Sequence, residues 1–246
     1  MTIILFDGPS RGNLLPLTFT RPVGHLRIGI LTIGEKWEKW LKSDSSYLTQ
    51  PYLQKKFPAH FSELNYLING SVCPDEGLCE AIDKLVEGEA LFYQDVLIAL
   101  KLNQASSREF DPENVASYRR VDYTAAFVQI NYPEDIFSNN DQELHKDFAL
   151  LTKGRVSAPI SSTNTLLGND IFLEDGAQAE CSTLNSLQGP IYIGKNSQIW
   201  EGCHIRGSFA ICNDSQVKMG ARIYGMTTVG PFCRVGGEIN NSVIWG

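Results

Sequence analysis

The sequence has no apolar run close to the ~20 residues that cross a bilayer, so a membrane-spanning role is not expected. Its opening residues, MTIILFDGPSRG, lack the basic start and extended apolar run of a secretory signal, and a cytoplasmic location is expected. Cations are in the minority: 21 Lys and Arg stand against 28 Asp and Glu, a net charge of −7. Such a surface repels polyanions, which argues against nucleic acid or an anionic membrane as a general partner. The six cysteines, Cys73, Cys79, Cys181, Cys203, Cys212 and Cys233, form no C-x-x-C pair. Only His204, beside Cys203, lies close to any of them, so reduced, buried thiols are expected in place of a structural metal.

What the chain does contain is a repeat. From Ile193 it falls into hexads: IGKNSQ, IWEGCH, IRGSFA, ICNDSQ, VKMGAR, IYGMTT, VGPFCR, VGGEIN. Every first position, Ile193, Ile199, Ile205, Ile211, Val217, Ile223, Val229 and Val235, is β-branched and aliphatic. Such residues are stiff at χ1 and pack well on a pleated surface. Each hexad gives a short strand and a corner, and three hexads close a triangular coil with the first positions inside. Ile193, Ile211 and Val229 are expected to stack on one face, Ile199, Val217 and Val235 on the second, Ile205 and Ile223 on the third. Fifth positions are mostly small, and Gly194, Gly202, Gly220, Gly230 and Gly236 are expected to supply the bends. The coil is expected to begin near Ile171, with a bulged loop at 186–190. Asn241 breaks the phase, and Val243 is the expected interior residue beyond it. No capping helix follows, so a longer native chain is expected.

Residues before the repeat read as α/β. Ile3–Phe6, Tyr66–Ile68, Ala90–Tyr93 and Val96–Leu102 have the apolar pattern of strands. Residues 35–43, 74–87 and 141–150 have that of helices, the last with Asn140 as N-cap. His204 is expected on a solvated corner, and Trp37, Trp40 and Phe127 in the core. The segment Gly8–Gly34 carries Arg11, Arg21, Arg27 and His25 with no Asp or Glu. Arginine forks and glycine-exposed amides suit a phosphate. The alternative is that these arginines pair with carboxylates elsewhere in the fold.

The segment LLPLTFTRPVGHLRIGILTIGEKW contains a Pro16-Leu17-Thr18 triplet, Lys36 follows it, and Asn69-Gly70 closes the second strand. These features resemble the start of sugar-1-phosphate nucleotidyltransferases. With LINGSVCP, DFALLTKGR, GPIYIG and VGGEINNSVI, nearly the whole chain resembles the sugar nucleotidyltransferase-like proteins of Bacteroidetes. These are related to the bifunctional UDP-N-acetylglucosamine pyrophosphorylase/glucosamine-1-phosphate N-acetyltransferase. The resemblance implies a shortened, Rossmann-like nucleotidyltransferase domain over 1–155 and a left-handed parallel β-helix of hexapeptide repeats over 156–246. It implies a nucleoside triphosphate and a sugar 1-phosphate as substrates, UDP-N-acetylglucosamine chemistry, a homotrimer, and Mg2+, with acetyl-CoA only if the chain continues beyond Gly246.

By the same resemblance, Arg11 and Arg21 would act on the triphosphate and Arg27 or Lys36 on phosphate groups. Asn69, with Gly70, would contact sugar or base, and Asp7 and Gly8 lie in the phosphate loop. Asp7, or in its place Asp75, is the candidate metal ligand, because Ser71 stands where the related enzymes place a magnesium-binding aspartate. Two other functions stay open: an acyltransferase whose N-terminal domain only binds nucleotide-sugar, and an oligomerisation scaffold.

Overall fold

A computed structural model describes residues 2–246. Along the chain, β1 (Thr2–Phe6) leads to the short α1 (Ser10–Asn13) and a 3-10 turn at Val23–His25. A hairpin of β2 (Arg27–Ile28) and β3 (Leu31–Thr32) comes next, then α2 (Ile33–Leu41), β4 (Ser45–Leu48), α3 (Pro51–Gln54) and β5 (Leu64–Asn69). There follow α4 (Glu76–Asp83), β6 (Glu89–Tyr93), β7 (Val96–Asn103), α5 (Gln104–Arg108), β8 (Arg119–Asp122), α6 (Pro133–Ser138) and α7 (Asn140–Thr152). From Thr165 onward the elements are strands of two or three residues. Among the described residues no helix is long and apolar enough to cross a membrane.

The chain divides into two compact units, cut differently from the expected 1–155 and 156–246. The first takes in the chain up to Leu26 and then Thr32–Asp135; the second joins Arg27–Leu31 to Ile136–Gly246.

The first unit is built on one sheet of order β4-β1-β5-β7-β6-β8. β1 runs parallel to both β4 and β5, and its apolar run IILF is buried, as a central parallel strand requires. β7 is antiparallel to β5 and β6. Ile4, Phe6, Leu67, Phe92 and Leu100 share a core cluster with Phe110 and the partly buried Phe61 and Val115. α2 starts at Ile33, two residues earlier than expected, because Thr32 and Glu35 form a reciprocal capping box. α4 begins at Glu76 instead of Pro74, because the Asp75 side chain accepts the Leu78 N–H at 2.8 Å.

The second unit contains the left-handed parallel β-helix. Three parallel ladders carry the stacks: Leu173, Ile193, Ile211, Val229 and Ile244 on the first, Ala179, Ile199, Val217 and Val235 on the second. Leu166, Leu184, Ile205, Ile223 and Ile239 form the third. The hexad faces are those expected. The coil starts one strand earlier than Ile171, at Thr165–Leu167, which already pairs with Thr183–Asn185. At the far end the interior residues are Ile239 and Ile244, not Val243, which pairs with Thr228. Left-handed φ at the corners belongs to Asn196, Asp214 and Phe232 as well as to Gly202 and Gly220; Gly194, Gly230 and Gly236 do not adopt it, and Gly237 does. Gly194 is needed for another reason: a Cβ there would lie 2.8 Å from the Asn213 backbone nitrogen.

The first ladder's outward side chains are also buried. Phe172, Tyr192, Ala210 and Cys212 pack with Ile30 from the hairpin and with Leu144, Phe148 and Leu151 of α7. Asp147 Oδ2 accepts the N–H groups of Ile30 (2.8 Å) and Leu31 (3.0 Å). Asn140 is not the N-cap of α7; Asn139 holds that place. Asn140 is buried, accepting the Gly29 N–H at 2.8 Å and donating to the Met226 carbonyl at 3.0 Å. Gly29 has φ +70°, and a Cβ there would sit 2.6 Å from Asp147 Oδ2, so only glycine fits.

Candidate functional site

In the sheet of the first unit β4 lies on one side of β1 and β5 on the other. The loops after β1 and β5 therefore diverge, and the crevice beyond their C-terminal ends is where ligands of open α/β sheets sit. A cavity of about 190 Å3 lies there. Its walls include Phe6, Phe92, Leu97 and Val115, with polar groups from Ser10, Asn69, Asp95, Gln129 and Asn131. The Ser10 Oγ is buried and has no hydrogen-bond partner. An unsatisfied buried hydroxyl is costly and calls for an explanation.

The loop after β1 is held by Asp7. Its Oδ1 accepts the Val23 N–H at 2.8 Å and its Oδ2 the Thr49 hydroxyl at 2.5 Å. Burial pushes its carboxyl above the usual range, opposed by those two bonds and by Arg11. Arg11 lies with Nε 3.4 Å from Asp7 Oδ2. Its Nη2 donates to the Thr18 carbonyl (3.1 Å) and the Tyr52 hydroxyl (2.7 Å). Among the described residues, Nη1 takes no partner. Gly8 follows Asp7, and a Cβ there would come 3.4 Å from the Asn69 side chain, so the loop after β1 starts out against the end of β5.

Asn69 turns the chain after β5: its Oδ1 accepts from the Ser71 N–H (3.0 Å) and Oγ (2.8 Å), and its Nδ2 donates to the Leu97 carbonyl (3.0 Å). Ser71 is wholly buried, so this position does not present a ligand to the cavity. Gly70 is structural: a Cβ there would fall 2.9 Å from the Gly24 backbone nitrogen.

The other cations of the acid-free segment do not gather here. Arg21 is half-buried at the turn before Val23 and lines no part of the cavity. Lys36 is 1% exposed within α2, far too enclosed to meet a ligand in the cavity. Arg27 belongs to the second unit, where its buried guanidinium donates to the Ile30 carbonyl and approaches Cys212 Sγ at 3.6 Å. None of Arg11, Arg21 and Arg27 lines the cavity, so the expected convergence of the three is not seen there; Arg11 stands at the loop after β1 through its contact with Asp7. No spacing in the sequence ties Ser10, Asp95, Gln129 and Asn131 together before the chain folds.

Residues 3–156 match the family model described as sugar nucleotidyl transferase. The chain belongs to this family. No curated protein matches it.

Membership directs attention to the crevice beyond β1 and β5 and away from a second constellation in the other unit. There Ser208 Oγ lies 3.1 Å from His145 Nε2, and Asp141 Oδ1 lies 3.6 Å from the same nitrogen. A serine nucleophile needs its base and its orienting carboxylate on opposite ring nitrogens. This trio cannot relay a proton and is structural.

Proposed function

We propose that the first unit transfers a nucleotidyl group from a nucleoside triphosphate to a sugar 1-phosphate. The observation that carries this reading is the Ser10 hydroxyl, sealed without a partner against a cavity at the point where strand order reverses. The cavity's volume of about 190 Å3 is below the roughly 300–1,000 Å3 of sites that hold whole drug-sized ligands. It takes one ring of the substrate, with Phe6 and Phe92 against its faces and the amides of Asn69, Gln129 and Asn131 reading its polar edge.

The sugar phosphate oxygen attacks the α-phosphorus, the bond to the β-phosphate oxygen breaks, and pyrophosphate leaves. Such chemistry depends on alignment and charge neutralisation more than on an acid or base. Arg11 supplies the positive charge, with Asp7 fixing its position. A resident magnesium does not fit Asp7, whose oxygens are committed to Val23 and Thr49. Magnesium bound to the incoming triphosphate needs only one or two protein carboxylates, and Asp95 lines the cavity. UTP with N-acetylglucosamine 1-phosphate is the first pair to test, following the likeness of the N-terminal segments.

The assay is pyrophosphate release by the full chain with UTP, dTTP, GTP or CTP, each with Mg2+ and the sugar phosphate. Release with one triphosphate is expected. Arg11→Ala is expected to raise its KM about 10- to 150-fold, the range of a charged hydrogen bond. Stabilisation by nucleotide-sugar without release would mean that the unit binds but does not transfer. No release and no stabilisation by any of the four would overturn the proposal.

A further inference from the structure

The third ladder of the β-helix presents an outward face that the proposed nucleotidyl transfer does not use. Its register places His204 directly opposite Arg222 on the neighbouring strand. Arg206 stands two residues along from His204, on the same face and level with Tyr224. Strands lie about 4.8 Å apart and two residues span about 6.6 Å, so three nitrogen-bearing side chains rise from a patch of that size. A concavity of about 690 Å3 lies over them, lined also by Thr183, Asn185 and Tyr224.

None of its eleven lining residues is acidic, in a chain with 28 Asp and Glu. All three side chains are exposed. Among the described residues neither guanidinium forms an ion pair. The carboxylate next in the row, Glu238 opposite Arg222, accepts the Tyr224 hydroxyl at 2.5 Å. Basic groups set side by side on one sheet face repel one another unless an anion sits between them. Two arginine forks with a ring nitrogen beside them suit the tetrahedral oxygens of a phosphate better than a single carboxylate. The concavity is far larger than one phosphate group, and Leu167 and the Tyr224 ring give it apolar wall.

We propose that this face binds an organic phosphate, its phosphate group held by Arg206, Arg222 and His204 and its body lying against Tyr224 and Leu167. The site is independent of the cavity in the first unit. It is tested on the full chain by calorimetric titration with phenyl phosphate, benzoate and inorganic phosphate. Phenyl phosphate is expected to bind more tightly than either. Arg222→Gln and Arg206→Gln, both at exposed positions, are each expected to weaken it about tenfold or more, while Arg11→Ala leaves it unchanged. Equal binding of benzoate would refute the phosphate class, and equal binding of inorganic phosphate would refute the organic body. No binding by the unaltered chain, or binding indifferent to both arginine variants, overturns the proposal. So does a change of sedimentation on Arg222→Gln with no change in titration, which would assign the face to a second copy of the chain.

Discussion

Replacing Ser10 by alanine separates two effects of a buried hydroxyl that usually run together. In most sites a polar side chain is satisfied by the protein, so its loss costs both stability and binding. Ser10 is 5% exposed, and its Oγ has no partner in the folded chain. Leaving such a group unpaired costs about 1–3 kcal/mol, and alanine removes that cost while leaving a gap the size of one oxygen. The free energy of unfolding is therefore expected to hold or rise. A ligand that satisfies the hydroxyl loses a neutral hydrogen bond worth about 0.5–1.5 kcal/mol, a weakening of about 2- to 12-fold. Urea unfolding followed by tryptophan fluorescence reads the first quantity, and calorimetric titration of UTP with Mg2+ reads the second. A variant destabilised by more than ~1 kcal/mol would show that the oxygen has a protein partner. Unchanged affinity in a chain that does bind UTP would remove Ser10 from the site.

Two further outcomes follow from local geometry. Phe232 holds φ +59° with its ring 77% exposed, so Phe232→Gly is expected to relieve about 1–2 kcal/mol of left-handed strain, read as a higher urea midpoint. Asp7→Asn tests the raised carboxyl pKa: the folded state holds the Asp7 proton more tightly than the unfolded chain does. The wild type therefore gains stability over the variant as pH falls from above the raised value to below the ordinary 3.8, and the reverse trend in unfolding free energy would contradict the burial effect.

The coil was legible because its period is imposed by packing. Every sixth residue from Ile193 must be aliphatic to fill the interior, and no other part of the chain has to be known. Legibility ends where the period slips. Ile239 follows Ile223 by sixteen residues in place of eighteen, because the Gly236-Gly237 turn is short, and the last interior positions move with it. The site is less legible because charge along the chain is not charge in space. A segment free of acids in sequence is not free of them in space: Asp7 stands one residue before it and pairs with Arg11. Asp147, more than a hundred residues later, binds the backbone beside Arg27. Family likeness pointed to Asn69 and the loop after β1, but not to Ser10 or Gln129, which meet only when α1 and the loop at 129–131 are assembled.

The five residues Arg27–Leu31 come off the ribosome long before the coil they pack against, and the chain must hold them ready until Asn140, Asp147 and Thr228, whose hydroxyl donates to the Gly29 carbonyl at 3.0 Å, exist. A fragment begun at residue 156 would be missing both α7 and this hairpin. Phe172, Tyr192 and Cys212 would then be left facing water, and the shorter piece should precipitate where the whole chain does not. The coil is thus not a module that can be cut free at the start of its repeat, since part of its covering lies far upstream in the chain.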